Sequence, residues 1–451
     1  MITFLFIPER EKTTHLHPAM GKTKRPADLN GVPDTHNLVR AASFFLGIGM
    51  LSPYCAVIGA PDYWVYITKE ESINADMIML YMVFNFLGLI ACIVMSEKIP
   101  AFNLHPGKVI AAGFAFFLCP LLVFLFSSAP SSGALMFLSC FLGIGQAVSQ
   151  TESFRLIAAL PGIYTGDCVS GQALAGLFFS VFRLLIKSGK IGEVPSEVAG
   201  IGSYFCVCLF IVCLCVGVSL ILPNSPFVEF HRNRTKPATS AGLDEYKELF
   251  SSELYEFSEE PGAGKSMVKQ DDSGRTSAEN TPFPLTLKEV AFALKTPGFL
   301  LFLDFFVSLL VFPGVISEIP SAGNLGTYFP VINGLSFNFF DLAGRLSASS
   351  VALPKRRWKL FIWGRALVFP VLLSLCVLNV LQSDILVFLL VALLAVSNGY
   401  FASVLMQDAP TMVHKQDRST ASQFMVIMLV SGLTAGAVCG DLLARALMGG
   451  K

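Results

Sequence analysis

Charge is scarce in this chain. Of 451 residues only 14% are Asp, Glu, Lys or Arg, and 32 bases cancel 32 acids. A soluble domain carries about 25% charge, so this composition cannot cover a water-facing surface, and a soluble multidomain enzyme is excluded. With no excess of bases there is no basic face for a nucleic-acid partner. No signal peptide is expected either: the run Met1-Ile-Thr-Phe-Leu-Phe-Ile is short, has no basic region before it and stops at Pro8. The first apolar helix is therefore expected to serve as its own insertion signal. No zinc motif, haem-type His pair or nucleophile elbow is present, and Pro261-Gly-Ala-Gly-Lys-Ser lacks the full spacing of a phosphate loop. The sequence thus implies no enzyme, no cofactor and no metal. Cys92, Cys119, Cys140, Cys206, Cys208, Cys213, Cys215, Cys376 and Cys439 lie in apolar runs without ligand spacing and read as small buried hydrophobes.

What the chain has in quantity is apolar residue: 53% of positions, with 40 Phe and 37 Gly and a mean hydropathy of +0.63. The runs are continuous, whereas a membrane β-barrel needs alternation. The fold class expected is an all-α polytopic membrane protein. Windows of about 20 apolar residues, enough to cross a bilayer, fall at 39–60, 76–96, 108–127, 134–159, 167–187, 200–222, 298–317, 327–350, 359–381, 384–408 and 421–447. These divide into a cytosolic arm (1–38), a six-helix bundle (39–222), a cytosolic linker loop (223–297) and a five-helix bundle (298–451). The linker holds 9 bases and 12 acids and is rich in Ser, Pro and Gly, a composition that stays mobile, with a short helix expected at 244–250. Placing the N-terminus inside leaves 23 Lys and Arg on that side and 5 on the other. The positive-inside rule therefore sets the N-terminus in the cytosol and the C-terminus outside.

A few ionisable groups lie within the spans, where each costs roughly 2.5–3.5 kcal/mol on insertion scales and tends to face a bundle interior. Asp341 and Arg345 in the eighth span are four apart, hence on one face and within pairing distance, with Asn338 one turn before. They can form an internal ion pair that lowers the insertion cost of both, or a polar stripe along a solute path, where the carboxylate accepts hydrogen bonds from hydroxyls and the guanidinium donates them. The two readings are compatible. The fourth span carries Gln146, Gln150, Glu152 and Arg155. A Gln there can bond to a neighbouring helix or read the edge of a planar ring or a sugar. Asp304 and Arg365 are less informative, and Arg365 and Arg183, near span ends, are expected to snorkel. Tyr54, Ile58, Met79, Phe337 and Phe340 form apolar stripes suited to packing or to a ligand wall.

Several local sequences are more specific. Leu46-Gly-Ile-Gly-Met-Leu-Ser-Pro, Ser170-Gly-Gln-Ala-Leu-Ala-Gly, Phe312-Pro-Gly, Phe337-Asn-Phe-Phe-Asp-Leu-Ala-Gly-Arg, Ser397-Asn-Gly-Tyr-Phe-Ala-Ser and Ala435-Gly-Ala resemble, in this order, motifs of the equilibrative nucleoside transporter family. The resemblance covers nearly all of 39–447 outside the linker. It implies a major-facilitator-like, pseudo-symmetric bundle lacking one helix, working by alternating access. It also implies that Asp341 and Arg345 lie near the sugar of a bound nucleoside and that Gln150 contacts the base. Tyr54 stands where many members have tryptophan, Cys55 replaces the usual asparagine, and Ile58 stands where some place a methionine. With Asn338 added from the polar stripe of the eighth span, the candidate substrate-binding set is Tyr54, Ile58, Gln150, Asn338, Asp341 and Arg345.

The function expected is transport of nucleosides, purine with pyrimidine as a further option, by uniport or with proton coupling, by a monomer in the lipid bilayer of the plasma membrane. A nucleobase or other small polar solute carrier on the same fold, or a membrane-embedded enzyme or sensor, are the alternatives. The usable N-glycosylation sequon, Asn233-Arg-Thr, falls in the cytosolic loop. Treatment of the expressed protein with an N-glycosidase should leave its gel mobility unchanged; a shift that disappears in an Asn233→Gln variant would reverse the topology.

Overall fold

A computed structural model describes residues 34–70, 73–99, 105–127, 130–188, 200–234, 285–312, 314–317, 319, 321–323, 329–378, 380–381 and 383–449. Most of the N-terminal arm, and the linker from 235 to 284 with the helix expected at 244–250, lie outside that set. Helices dominate. The first group comprises α1 (Leu38–Ile58), α2 (Pro61–Thr68), α3 (Ile73–Lys98), α4 (Pro106–Phe126), α5 (Ser132–Ile157), α6 (Gly162–Ser188), α7 (Ile201–Ile221) and α8 (Pro226–Arg234). The second comprises α9 (Leu287–Ala293), α10 (Lys295–Val311), α11 (Gly314–Ser317), α12 (Phe329–Ser347), α13 (Lys355–Val377), α14 (Asp384–Asp408) and α15 (Arg418–Gly449).

The local sequence explains where these helices begin. Ser131 and Ser383 cap α5 and α14 by accepting hydrogen bonds from the backbone N–H of Ala134 and Leu386. Thr286 and Glu289 close a capping box on α9. Pro61 and Pro106 occupy first turns, where a missing N–H costs nothing.

The two groups repeat one pairing pattern. α1 packs on α6 and α3 on α5; equivalently, α10 packs on α15 and α12 on α14. Across the groups α6 meets α12 and α14, while α15 meets α3 and α5. This is a pseudo-twofold bundle. Hydrogen bonds crossing the seam include Ser422 Oγ to the Phe154 carbonyl (3.1 Å) and Gln423 Nε2 to Ser96 Oγ (3.4 Å). Both lie where α3 and α5 end and α15 begins.

Nine described helices are long and apolar enough to cross a membrane, and ten if the bent pair α9–α10, angled by 81°, is one span. The remaining expected span, 327–350, corresponds to α12, whose 19 residues include Asn333, Asn338, Asp341 and Arg345; this polar content keeps it out of the apolar set. The expected seventh span, 298–317, is also interrupted: Phe312 leaves helical geometry and α11 follows as a separate turn. The cysteines correct another expectation. Cys92, Cys208, Cys215 and Cys376 are buried, but Cys119, Cys206, Cys213 and Cys439 are exposed, as are Phe137, Phe210, Leu367 and Leu389. In hydrocarbon such residues need no interior, so apolar sequence does not imply burial in protein.

Small residues set the closest contacts. A Cβ at Gly399 of α14 would sit 2.0 Å from the Asp341 carbonyl, and one at Gly344 of α12 2.2 Å from the Val396 carbonyl. Backbone therefore touches backbone on both sides of this crossing, the geometry that small residues permit between membrane helices. Gly399→Val should separate α12 from α14 and cost about 1–3 kcal/mol or more from overpacking. The expected outcome is a lower melting temperature of the detergent-solubilised protein and less of it at the membrane; a wild-type melting curve would refute this contact.

Candidate functional site

On α12, the spacing of Asp341 and Arg345 produces the pair it suggested. Arg345 Nε donates to Asp341 Oδ2 at 2.8 Å, and the two side chains are 8% and 7% exposed. The remaining valences reach other helices. Arg345 Nη1 donates to the Val169 carbonyl of α6 at 2.8 Å, and Asn398 Nδ2 of α14 donates to Asp341 Oδ1 at 2.6 Å. The pair therefore lies at the seam between the two groups of helices.

Behind it stands a second pair. Arg365 of α13 and Asp304 of α10 form an ion pair in which the side chains are 3% and 0% exposed. The expectation that Arg365 snorkels is thus incorrect: its head points into the bundle, where a carboxylate waits, instead of toward water. Arg365 Nη2 also donates to Ser308 Oγ at 2.8 Å, and Ser308 Oγ donates to Asn398 Oδ1 at 2.7 Å. A continuous line of buried polar groups runs from Asp304 and Arg365 through Ser308 and Asn398 to Asp341, Arg345 and the Val169 carbonyl.

Arg183 departs from expectation in the same way. It is buried and pairs with Asp62 of α2 at 2.9 Å. Glu152 is fully buried and pairs with Arg155 in the same helix, as their spacing suggested. A further pair, Arg40 with Asp167 at 2.8 Å, ties the start of α1 to the start of α6.

The other candidate residues take separate partners. Asn338 Nδ2 donates to Ser180 Oγ of α6 at 2.8 Å; Gly176 leaves room for this approach, since a Cβ there would lie 2.8 Å from Asn338 Oδ1. Asn338 therefore links the seam one turn from Asp341. Gln150 accepts from Gln146 Nε2 at 2.8 Å within α5, and Gln146 Oε1 is buried without a hydrogen-bond partner. Tyr54 stacks on Tyr81 of α3, with ring centroids 4.7 Å apart and 25° between planes. Ile58, near the end of α1, is half-buried. Phe337 stacks flat on Phe312 at 4.1 Å.

Sequence reasoning did not assign Ser308, Asn398 or Tyr81, and undervalued Asp304 and Arg365. Asp304 and Ser308 share a helix face at i, i+4 spacing, a usable signal. Asn398 stood inside a quoted motif, but only the fold reveals what it bonds to.

The chain is also similar to known proteins. The family model described as nucleoside transporter matches residues 136–444. The chain is 26% identical to equilibrative nucleotide transporter 1 of Arabidopsis thaliana, over 95% of this chain and 90% of that protein. It is 30% identical to equilibrative nucleoside transporter 1 of Mus musculus, over 67% of this chain and 66% of that protein. With equilibrative nucleoside transporter 2 of Homo sapiens the identity is 26%, covering 90% and 96%. Among solved structures, the major-facilitator proton:xylose symporter XylE bound to 6-bromo-6-deoxy-D-glucose superposes with a TM-score of 0.57. It shares 12% identity and covers 90% of this chain and 87% of that one, a likeness of fold.

Removing one member of a buried charge pair strands the other at a cost of about 3–5 kcal/mol, whereas replacing both by apolar residues is often neutral. Arg365→Met alone should lower the melting temperature sharply, and adding Asp304→Leu should recover most of the loss. Equal melting curves for the single variant and the parent would show that the pair carries no such coupling.

Proposed function

Because the chain belongs to the nucleoside transporter family, we propose that it carries nucleosides across a membrane by alternating access, with Asp341 and Arg345 as the sugar-binding pair. The major-facilitator-like fold and the transporter relatives make it a membrane transporter and not an enzyme. The observation that carries the site assignment is the position of the pair. It is buried at the seam, where Arg345 already spans from α12 to the Val169 carbonyl of α6, and a secondary transporter holds its substrate between two halves that rock against each other.

In this reading the carboxylate of Asp341 accepts hydrogen bonds from ribose hydroxyls and Arg345 donates to the sugar oxygens. Tyr54, held by Tyr81, gives the ring a flat wall, with Ile58 beyond it. Gln150, fixed by Gln146, meets the base edge, and the open acceptor Gln146 Oε1 suits a ring N–H. Asn338 and Ser180 close the seam a turn away. The N-terminus lies in the cytosol and the C-terminus outside, in the plasma membrane, and one chain suffices. With that orientation the bonds from Ser422 to Phe154 and from Gln423 to Ser96 close the cytosolic end. Substrate then drives net flux down its own gradient, and the buried carboxylate of Glu152 is the group through which a proton would be coupled.

Uptake of labelled nucleosides by liposomes containing the purified chain, with and without a pH gradient, tests this. Saturable uptake of purine or pyrimidine nucleosides is expected. Arg345→Ala should reduce transport per inserted molecule by about tenfold or more, the worth of a charged hydrogen bond. Unchanged transport by that variant would reject the site, and uptake of free bases alone would reassign the substrate.

A further inference from the structure

The buried polar line behind the proposed sugar site has a direction. Ser308 has one hydroxyl proton and accepts from Arg365 Nη2, so its own proton is available to Asn398 Oδ1, the closer of its two acceptors at 2.7 Å against 3.0 Å for the Asp304 carbonyl. With Asn398 Oδ1 thus occupied as an acceptor, the Asn398 amide must point its N–H₂ at Asp341, as it does at 2.6 Å. Every step donates the same way, from the Arg365 guanidinium through hydroxyl and amide to the Asp341 carboxylate. Asp304 neutralises the far end. Each group in the line is buried, from Ser308 and Asp304 at 0% to Arg345 at 8% exposure.

We propose that Ser308 and Asn398, anchored by the Arg365–Asp304 pair, are positioning residues that hold both oxygens of Asp341 as oriented acceptors and so select substrates carrying vicinal hydroxyls. This rests on Asp341 being the sugar-binding carboxylate. The selectivity follows from acceptor arithmetic. An ionised carboxylate offers about four lone-pair sites and no donor. Arg345 Nε takes one on Oδ2 and Asn398 Nδ2 one on Oδ1. One site remains on each oxygen, and the matching ligand is a pair of adjacent O–H donors, the cis-diol of a ribose. A sugar lacking those hydroxyls leaves buried lone pairs unmet, which is where binding sites discriminate most strongly. Were the Asn398 amide free to flip, its carbonyl oxygen would face the carboxylate, and the two acceptors would repel. Ser308, by donating to Oδ1, opposes the flip together with the carboxylate itself.

Ser308→Ala is the informative change, because it removes one hydroxyl and leaves both ion pairs intact. In reconstituted liposomes it should raise the KM for a ribonucleoside about 3- to 10-fold, the range for one lost hydrogen bond, with maximal rate per inserted molecule little altered. The KM for the matching 2′,3′-dideoxynucleoside should not move, and Ser308→Thr, which keeps the hydroxyl, should restore the ribonucleoside KM. A purely structural loss would lower transport of both substrates together and would not separate KM from rate. Equal changes for the two substrates, or none, would overturn the positioning role. Asp341→Asn run alongside tests the underlying site: if it leaves ribonucleoside uptake intact, the sugar assignment itself fails, whereas loss in Asp341→Asn with a silent Ser308→Ala rejects only the relay.

Discussion

Hydrocarbon does not tolerate a lone charge, and the interior of this bundle is organised around that constraint. Asp341 with Arg345 and Asp304 with Arg365 join opposite charges that are both buried, while the buried Glu152 and Arg183 pair with the partly exposed Arg155 and Asp62. In a medium that screens weakly, each partner is necessary to the other, and helices bearing them are obliged to meet. α10 is fixed to α13 and α2 to α6 by such pairs, while Asn398 and Val169 extend the first of them to α14 and α6. The fold's polar interior is thus also its assembly code.

The same constraint explains why a site can be built here at all. A substrate with several hydroxyls leaves water only if its bonds are replaced, and the pair at the seam supplies an acceptor and a donor side by side. Because Arg345 also holds the Val169 carbonyl, the group that would meet substrate also holds the two halves together. Under the proposed function, ligand binding and the rocking of the halves draw on the same donor.

Much of this was legible in the residues, and unequally so. The span positions follow from length and hydropathy, and the Asp341–Arg345 pair from helical spacing, because both are local properties. The seventh and eighth spans were harder to read. α10 is bent away from α9 and stops at Val311, and α12 carries enough polarity to fall outside the apolar set. The fates of Arg365 and Arg183 were not legible, since whether an Arg near a span end reaches water or a carboxylate depends on what the neighbouring helix presents. Asp304 and Asp62 lie 61 and 121 residues away. Ser308 and Asn398 were hidden for the same reason: neither has a meaning until α10 and α14 stand together.

The contact of Gly344 and Gly399 with opposing peptide carbonyls makes the wall behind Asp341 from main chain. Main chain cannot be enlarged, trimmed or recoloured by substitution, so this crossing is invariant in shape for any sequence that keeps it. Under the proposed function, variation in substrate range falls to Tyr54, Tyr81, Ile58 and the Gln146–Gln150 pair, which are ordinary side chains. An engineer seeking to admit a bulkier base would therefore work on α1, α3 and α5 and leave α12 and α14 alone.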